Sequence, residues 1–98
     1  MSAQTGKRIL LVDDEAELVT TVTIRLQANG YEVVSAYDGE EALQKIAQSL
    51  PDLIVLDLAM PKMDGVTFLK RMRKEKSYRS LPVIVLTGRD RMREVVEM

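Results

Sequence analysis

The chain has 98 residues, 46% of them hydrophobic and 30% charged, with 14 basic against 15 acidic side chains for a net charge of −1. That is ordinary globular composition with room for one domain, and a charge near zero supplies no bulk attraction to nucleic acid or membrane. Neither cysteine nor histidine occurs, which excludes disulfide scaffolds, thiol nucleophiles, Ser-His-Asp triads and His or Cys metal sites.

In chain order, residues 1–6 are short and polar and read as a flexible N-terminus. Lys7-Arg8 leads into only four apolar residues, too few for the apolar core of an export signal. With no cysteine and no such signal, a cytoplasmic location is expected. Ile9-Leu10-Leu11-Val12, Leu53-Ile54-Val55-Leu56 and Val83-Ile84-Val85-Leu86 are continuous apolar runs, the pattern of strands covered on both faces in a parallel sheet. Tyr31–Ala36 is mixed and reads as an edge strand. Pro51 and Pro82 stand at or just before strand starts, where a missing N–H is tolerated.

Helical patterns fill the intervals. Leu18, Val22 and Leu26 recur every four residues and lead to Asn29-Gly30, a C-cap pair. Asp38-Gly39-Glu40-Glu41 resembles a capping box ahead of Ala42, Leu43, Ile46 and Ala47. Asp64-Gly65 opens a third helix with Val66, Leu69 and Met72. Met92, Val95 and Val96, after Gly88, predict a fourth helix that the chain end at Met98 cuts short. Regular β-α alternation over residues 1–98 implies a single α/β domain, a doubly wound parallel sheet with right-handed crossovers.

Ligands in such sheets bind at the carboxyl ends of the strands. The residues there are Asp13-Asp14, Asp57 and Thr87. Taken alone, Asp13-Asp14 reads as a helix N-cap and Thr87 as a cap or turn residue. Three converging carboxylates repel and raise at least one pKa. A hard divalent cation relieves that conflict, and all-oxygen ligation favours Mg²⁺. Asp52 is expected outside the cluster, roughly 16 Å from Asp57 along a strand.

Leu11-Val12-Asp13-Asp14-Glu15, the run from Asp52 through Asp57 to Met60-Pro61-Lys62-Met63-Asp64-Gly65, and Val83-Ile84-Val85-Leu86-Thr87-Gly88 together resemble a response-regulator receiver domain of two-component signalling. The resemblance runs from about Lys7 to Met98. It implies the flavodoxin-like receiver fold with strand order 2-1-3-4. It also implies that Asp57 accepts a phosphoryl group from a phosphohistidine on a sensor histidine kinase or phosphotransfer protein. Asp13, Asp14, Asp57 and the backbone carbonyl of Ala59 would hold Mg²⁺, and the Thr87 hydroxyl would contact the phosphoryl group and report its arrival. Such a domain is a signalling module rather than an enzyme. Phosphoryl transfer, being mainly positioning and charge neutralisation, suits these residue types.

The family carries a fifth strand and fifth helix after the fourth helix, and the resemblance therefore implies a C-terminally truncated receiver. With them would go a strand-end lysine, which none of Lys7, Lys45, Lys62, Lys70, Lys74 or Lys76 matches in position. Strand 4 would then be an open edge, and part of the first helix near Ile24 would lose its cover. Pairing of that edge between two chains, as a homodimer or swapped assembly, is the expected repair. An alternative reading follows: a structural or oligomerising module with no working switch. An aspartyl-phosphate hydrolase is disfavoured, because Ala59 stands where that chemistry wants a second acid. The basic run Lys70-Arg71-Met72-Arg73-Lys74-Glu75-Lys76 reads as a solvated, dipole-favoured helix end rather than a nucleic-acid contact, and no membrane partner is expected.

Overall fold

The computed structural model describes residues 5–57, 65–86 and 93–96. β1 (Arg8–Val12) is flanked by β2 (Glu32–Ala36) on one side and β3 (Leu53–Asp57) on the other. Both pairings are parallel, with Val12 opposite Ala36 and Leu56. β4 (Val83–Leu86) lies parallel to β3 with Leu86 opposite Asp57. The strand order 2-1-3-4 is that of the expected doubly wound sheet.

Three helices join the strands: α1 (Ala16–Ala28), α2 (Gly39–Gln48) and α3 (Gly65–Arg73), with a 3-10 turn at Lys76–Tyr78 before β4. Local chemistry sets their ends. The Asp38 carboxylate accepts the Glu41 N–H at 2.8 Å, and the Glu41 carboxylate reaches back to the Tyr37 N–H at 2.8 Å. These bonds satisfy donors that a helix start leaves open. At the end of α1, Gly30 takes φ +92°. Its N–H bonds to the Gln27 carbonyl and the Tyr31 N–H to that of Leu26, a Schellman close that an L side chain would strain. Thr5, within the segment read as flexible, donates both its N–H and its hydroxyl to the Gly30 carbonyl.

The core lies on one face of the sheet. Leu10, Val12, Ile54, Leu56, Val83 and Val85 are packed there beneath Ala42, Ile46, Phe68, Leu69 and Met72 of α2 and α3. Ile9 and Leu11 point to the other face, on the side where α1 packs against β1 and β2. Leu53, Val55 and Ile84, also on that second face, are only half-buried. Among the described residues no helix is long and apolar enough to cross a membrane.

Three expectations need correction. The buried stripe of α1 runs through Val19, which is 3% exposed, with Val22 and Leu26 half-buried, whereas Leu18 is 37% exposed. Residues 19, 22 and 26 satisfy the helical period as well as 18, 22 and 26 do, and docking on the sheet selects between them. Residues 93–96 form β5 (Arg93–Val96) and not a fourth helix; β5 pairs antiparallel with β4, Val83 opposite Val96 and Leu86 opposite Arg93. The edge of β4 is thus covered from within the chain and is not free for the homodimer or swapped assembly expected there. An unpaired β4 edge would leave a row of N–H and C=O groups without partners, and an antiparallel return strand satisfies them at once. Ile24, by contrast, is 61% exposed, in line with the uncovered patch expected near it.

Candidate metal centre

β1 and β3 end side by side because Val12 and Leu56 are partners in the ladder. Asp13 is the residue after Val12 and Asp57 the last residue of β3, so the parallel register brings their side chains to one place. Asp14 follows on the way into α1. One carboxylate oxygen from each of Asp13, Asp14 and Asp57 lies within 4.8 Å of the others.

The three environments differ. Asp13 is 2% exposed, Asp57 half-buried and Asp14 exposed. The Asp13 N–H bonds to the Ala36 carbonyl at 3.1 Å, which ties the site to β2. Its Oδ1 accepts the Glu15 N–H at 3.0 Å, closing a turn that starts α1. Burial is the main force on its carboxyl and pushes the pKa above the ordinary value; the charges of Asp57, Asp14 and Glu15 push the same way, against the Glu15 N–H bond. Deprotonated Asp13 is therefore a buried anion among anions, at a cost that a bound cation would offset.

The donors in this set are all carboxylate oxygens, the chemistry of hard cations such as Mg²⁺ or Ca²⁺ rather than of Zn²⁺ or copper. The residues fit a divalent cation on that ground and on the raised Asp13 pKa. Asp52 lies at the opposite end of the sheet, its carboxylate accepting the Arg8 N–H at 2.8 Å and its N–H donating to the Arg8 carbonyl; it is outside the cluster, as expected. Thr87 and Ala59 lie outside the described residues, as does Lys62. Glu15 was not singled out from sequence for a site role; its place next to Asp13-Asp14 in an acidic run was the available signal.

A family model for the response regulator receiver domain matches residues 9–98. The alkaline phosphatase synthesis transcriptional regulatory protein PhoP of Bacillus subtilis is 46% identical over 87% of this chain and 35% of its own length. The chain thus spans about a third of that curated relative. A receiver domain of Methanoculleus marisnigri superposes with a TM-score of 0.83, at 34% identity over 90% of this chain and 72% of that one. Response regulator TrrA of Thermotoga maritima, solved in complex with Mg²⁺ and BeF, gives 0.75 at 39% identity over 86% and 71%. The sheet order, the three strand-end carboxylates and these likenesses agree: the chain belongs to the response regulator receiver domain family.

Proposed function

We propose that this receiver takes up a phosphoryl group on Asp57 from the phosphohistidine of a sensor histidine kinase or phosphotransfer protein, with Mg²⁺ bound at the acidic centre. The observation that carries the reading is the convergence of Asp13, Asp14 and Asp57 within 4.8 Å at the carboxyl ends of β1 and β3. A carboxylate oxygen of Asp57 forms the new bond to phosphorus as the P–N bond to the donor imidazole breaks, and the imidazole leaves with the electron pair. Asp13 and Asp14 would hold the metal, joined by an Asp57 oxygen and the Ala59 carbonyl, and the Thr87 hydroxyl would donate to a phosphoryl oxygen. When bound, the divalent cation neutralises charge on the transferring group. The Asp13 turn, pinned by Ala36 and Glu15, keeps its carboxylate aimed without reorganisation at the moment of transfer. The setting for this exchange is the cytoplasm.

The test is intact-protein mass after incubation with Mg²⁺ and a small-molecule phosphoryl donor, with Asp57→Asn as the control. One added phosphoryl group on the parent and none on the variant is expected. Equal labelling of both, or no labelling of folded, cation-binding protein, would overturn the assignment.

A further inference from the structure

At the amino ends of the strands the chain carries a concentration of charge that its net charge of −1 conceals. Lys70, Arg71, Lys74, Lys76 and Arg79 are all exposed, and none makes an ion pair with another described residue. Glu75 is the sole acid between residues 70 and 80. The helix dipole accounts for cations in the last turn of α3. It does not account for Lys76 and Arg79, which lie beyond the helix.

Arg73 explains how these residues come to share one surface. Its guanidinium turns inward and donates to the carbonyls of Tyr78 at 2.5 Å and Leu81 at 2.7 Å, while Arg79 Nε donates to the Arg73 carbonyl at 3.1 Å. These bonds fold the 3-10 turn back against the end of α3. Burial lowers the Arg73 pKa, and its charge is used internally, leaving the other five facing out.

Residues 70–80 expose no large apolar side chain. The exposed large hydrophobic residues Leu18, Ile24, Tyr37, Leu50 and Val66 all lie outside residues 70–80, and Tyr78 is half-buried. Protein interfaces want an apolar or aromatic centre, and membrane-surface elements want apolar side chains beside the basic ones. Five cations around a single acid, Glu75, suit a phosphate backbone, contacted without reading the bases. The acidic centre lies at the opposite end of the sheet, so the field of the molecule orients the basic end toward a polyanion and the metal centre away from it.

We propose that Lys70, Arg71, Lys74, Lys76 and Arg79 form a sequence-independent contact surface for the phosphate backbone of nucleic acid. This inference stands apart from phosphoryl transfer at Asp57. The test is fluorescence anisotropy of a short labelled DNA duplex of arbitrary sequence, titrated with the full chain at several salt concentrations. Five phosphate contacts give a slope of log affinity against log salt of about −4 to −5, so affinity should fall about two to three orders of magnitude between 50 and 200 mM. Lys70→Gln/Lys74→Gln/Lys76→Gln, all exposed and expected to leave the urea midpoint unchanged, should flatten the slope by about 3. Lys7→Gln, on an exposed residue outside the patch, should leave it as it is. Absence of binding at 50 mM salt, or a triple variant that binds like the parent, would overturn the proposal. So would binding to vesicles of anionic lipid with none to the duplex.

Discussion

Asp13 and Asp57 stand at the ends of adjacent parallel strands, just past the paired residues Val12 and Leu56, and share a carboxylate cluster 4.8 Å across with Asp14. Asp13 is 2% exposed. The ladder thus forces together charges that would otherwise separate, and the fold tolerates them at a cost in stability.

That cost is the lever for a cation. Adding Mg²⁺ at neutral pH should raise the urea midpoint, with a gain of about 2.7 kcal/mol when the free cation is a hundredfold above its dissociation constant. Asp13→Asn should remove most of the gain, and Asp52→Asn, at the far end of the sheet, should retain it. An equal Mg²⁺ response in all three proteins would place the cation elsewhere.

The same residue sets a pH dependence. In the folded chain Asp13 titrates above its ordinary 3.8, chiefly through burial and then through its neighbours Asp57, Asp14 and Glu15. Between the unfolded and folded values the native state holds a proton that the unfolded state has lost, so this group's contribution to stability falls as pH rises. Below both values the destabilisation is absent, and above both it is present in full. Without divalent cation, Asp13→Asn should therefore gain on the parent as pH rises from acid to neutral, in urea midpoints measured side by side. A difference that stays flat with pH would contradict the assignment.

Core and periphery should separate cleanly. Phe68 is fully buried between α3 and the sheet, and Phe68→Ala should cost about 3–5 kcal/mol. Ile24 is 61% exposed on α1, and Ile24→Ala should change stability by no more than about 0.5 kcal/mol. Chemical denaturation of both variants checks the contrast.

The β4–β5 pairing is directly accessible because the chain has no cysteine of its own. Ile84 and Val95 are opposite one another, within the range that a disulfide spans. Ile84→Cys/Val95→Cys should oxidise to an intramolecular disulfide and gain about 3 kcal/mol over its reduced form. A helix at residues 92–96 would hold the two apart, and the pair would then stay reduced or link separate chains.

The sequence by itself determined a good deal of this protein. Continuous apolar runs named β1, β3 and β4: alternate residues of each face the core under α2 and α3, and those between them face the side that α1 covers at β1 and that is only half-buried at β3 and β4. Asp38 and Glu41 marked the start of α2, because an open N-terminal turn needs their oxygens. Asp13, Asp14 and Asp57 were identifiable because a parallel sheet delivers every strand-end residue to one side. Tertiary structure decided what local pattern leaves degenerate. Residues 18 and 19 both satisfy the period of α1, and only docking on β1 and β2 buries Val19 and leaves Leu18 out. Met92, Val95 and Val96 carry a helical period, yet Arg93–Val96 lies as a strand. Hydrogen-bond donors and acceptors along β4 belong to a distant segment, and no local periodicity records the need to pair them.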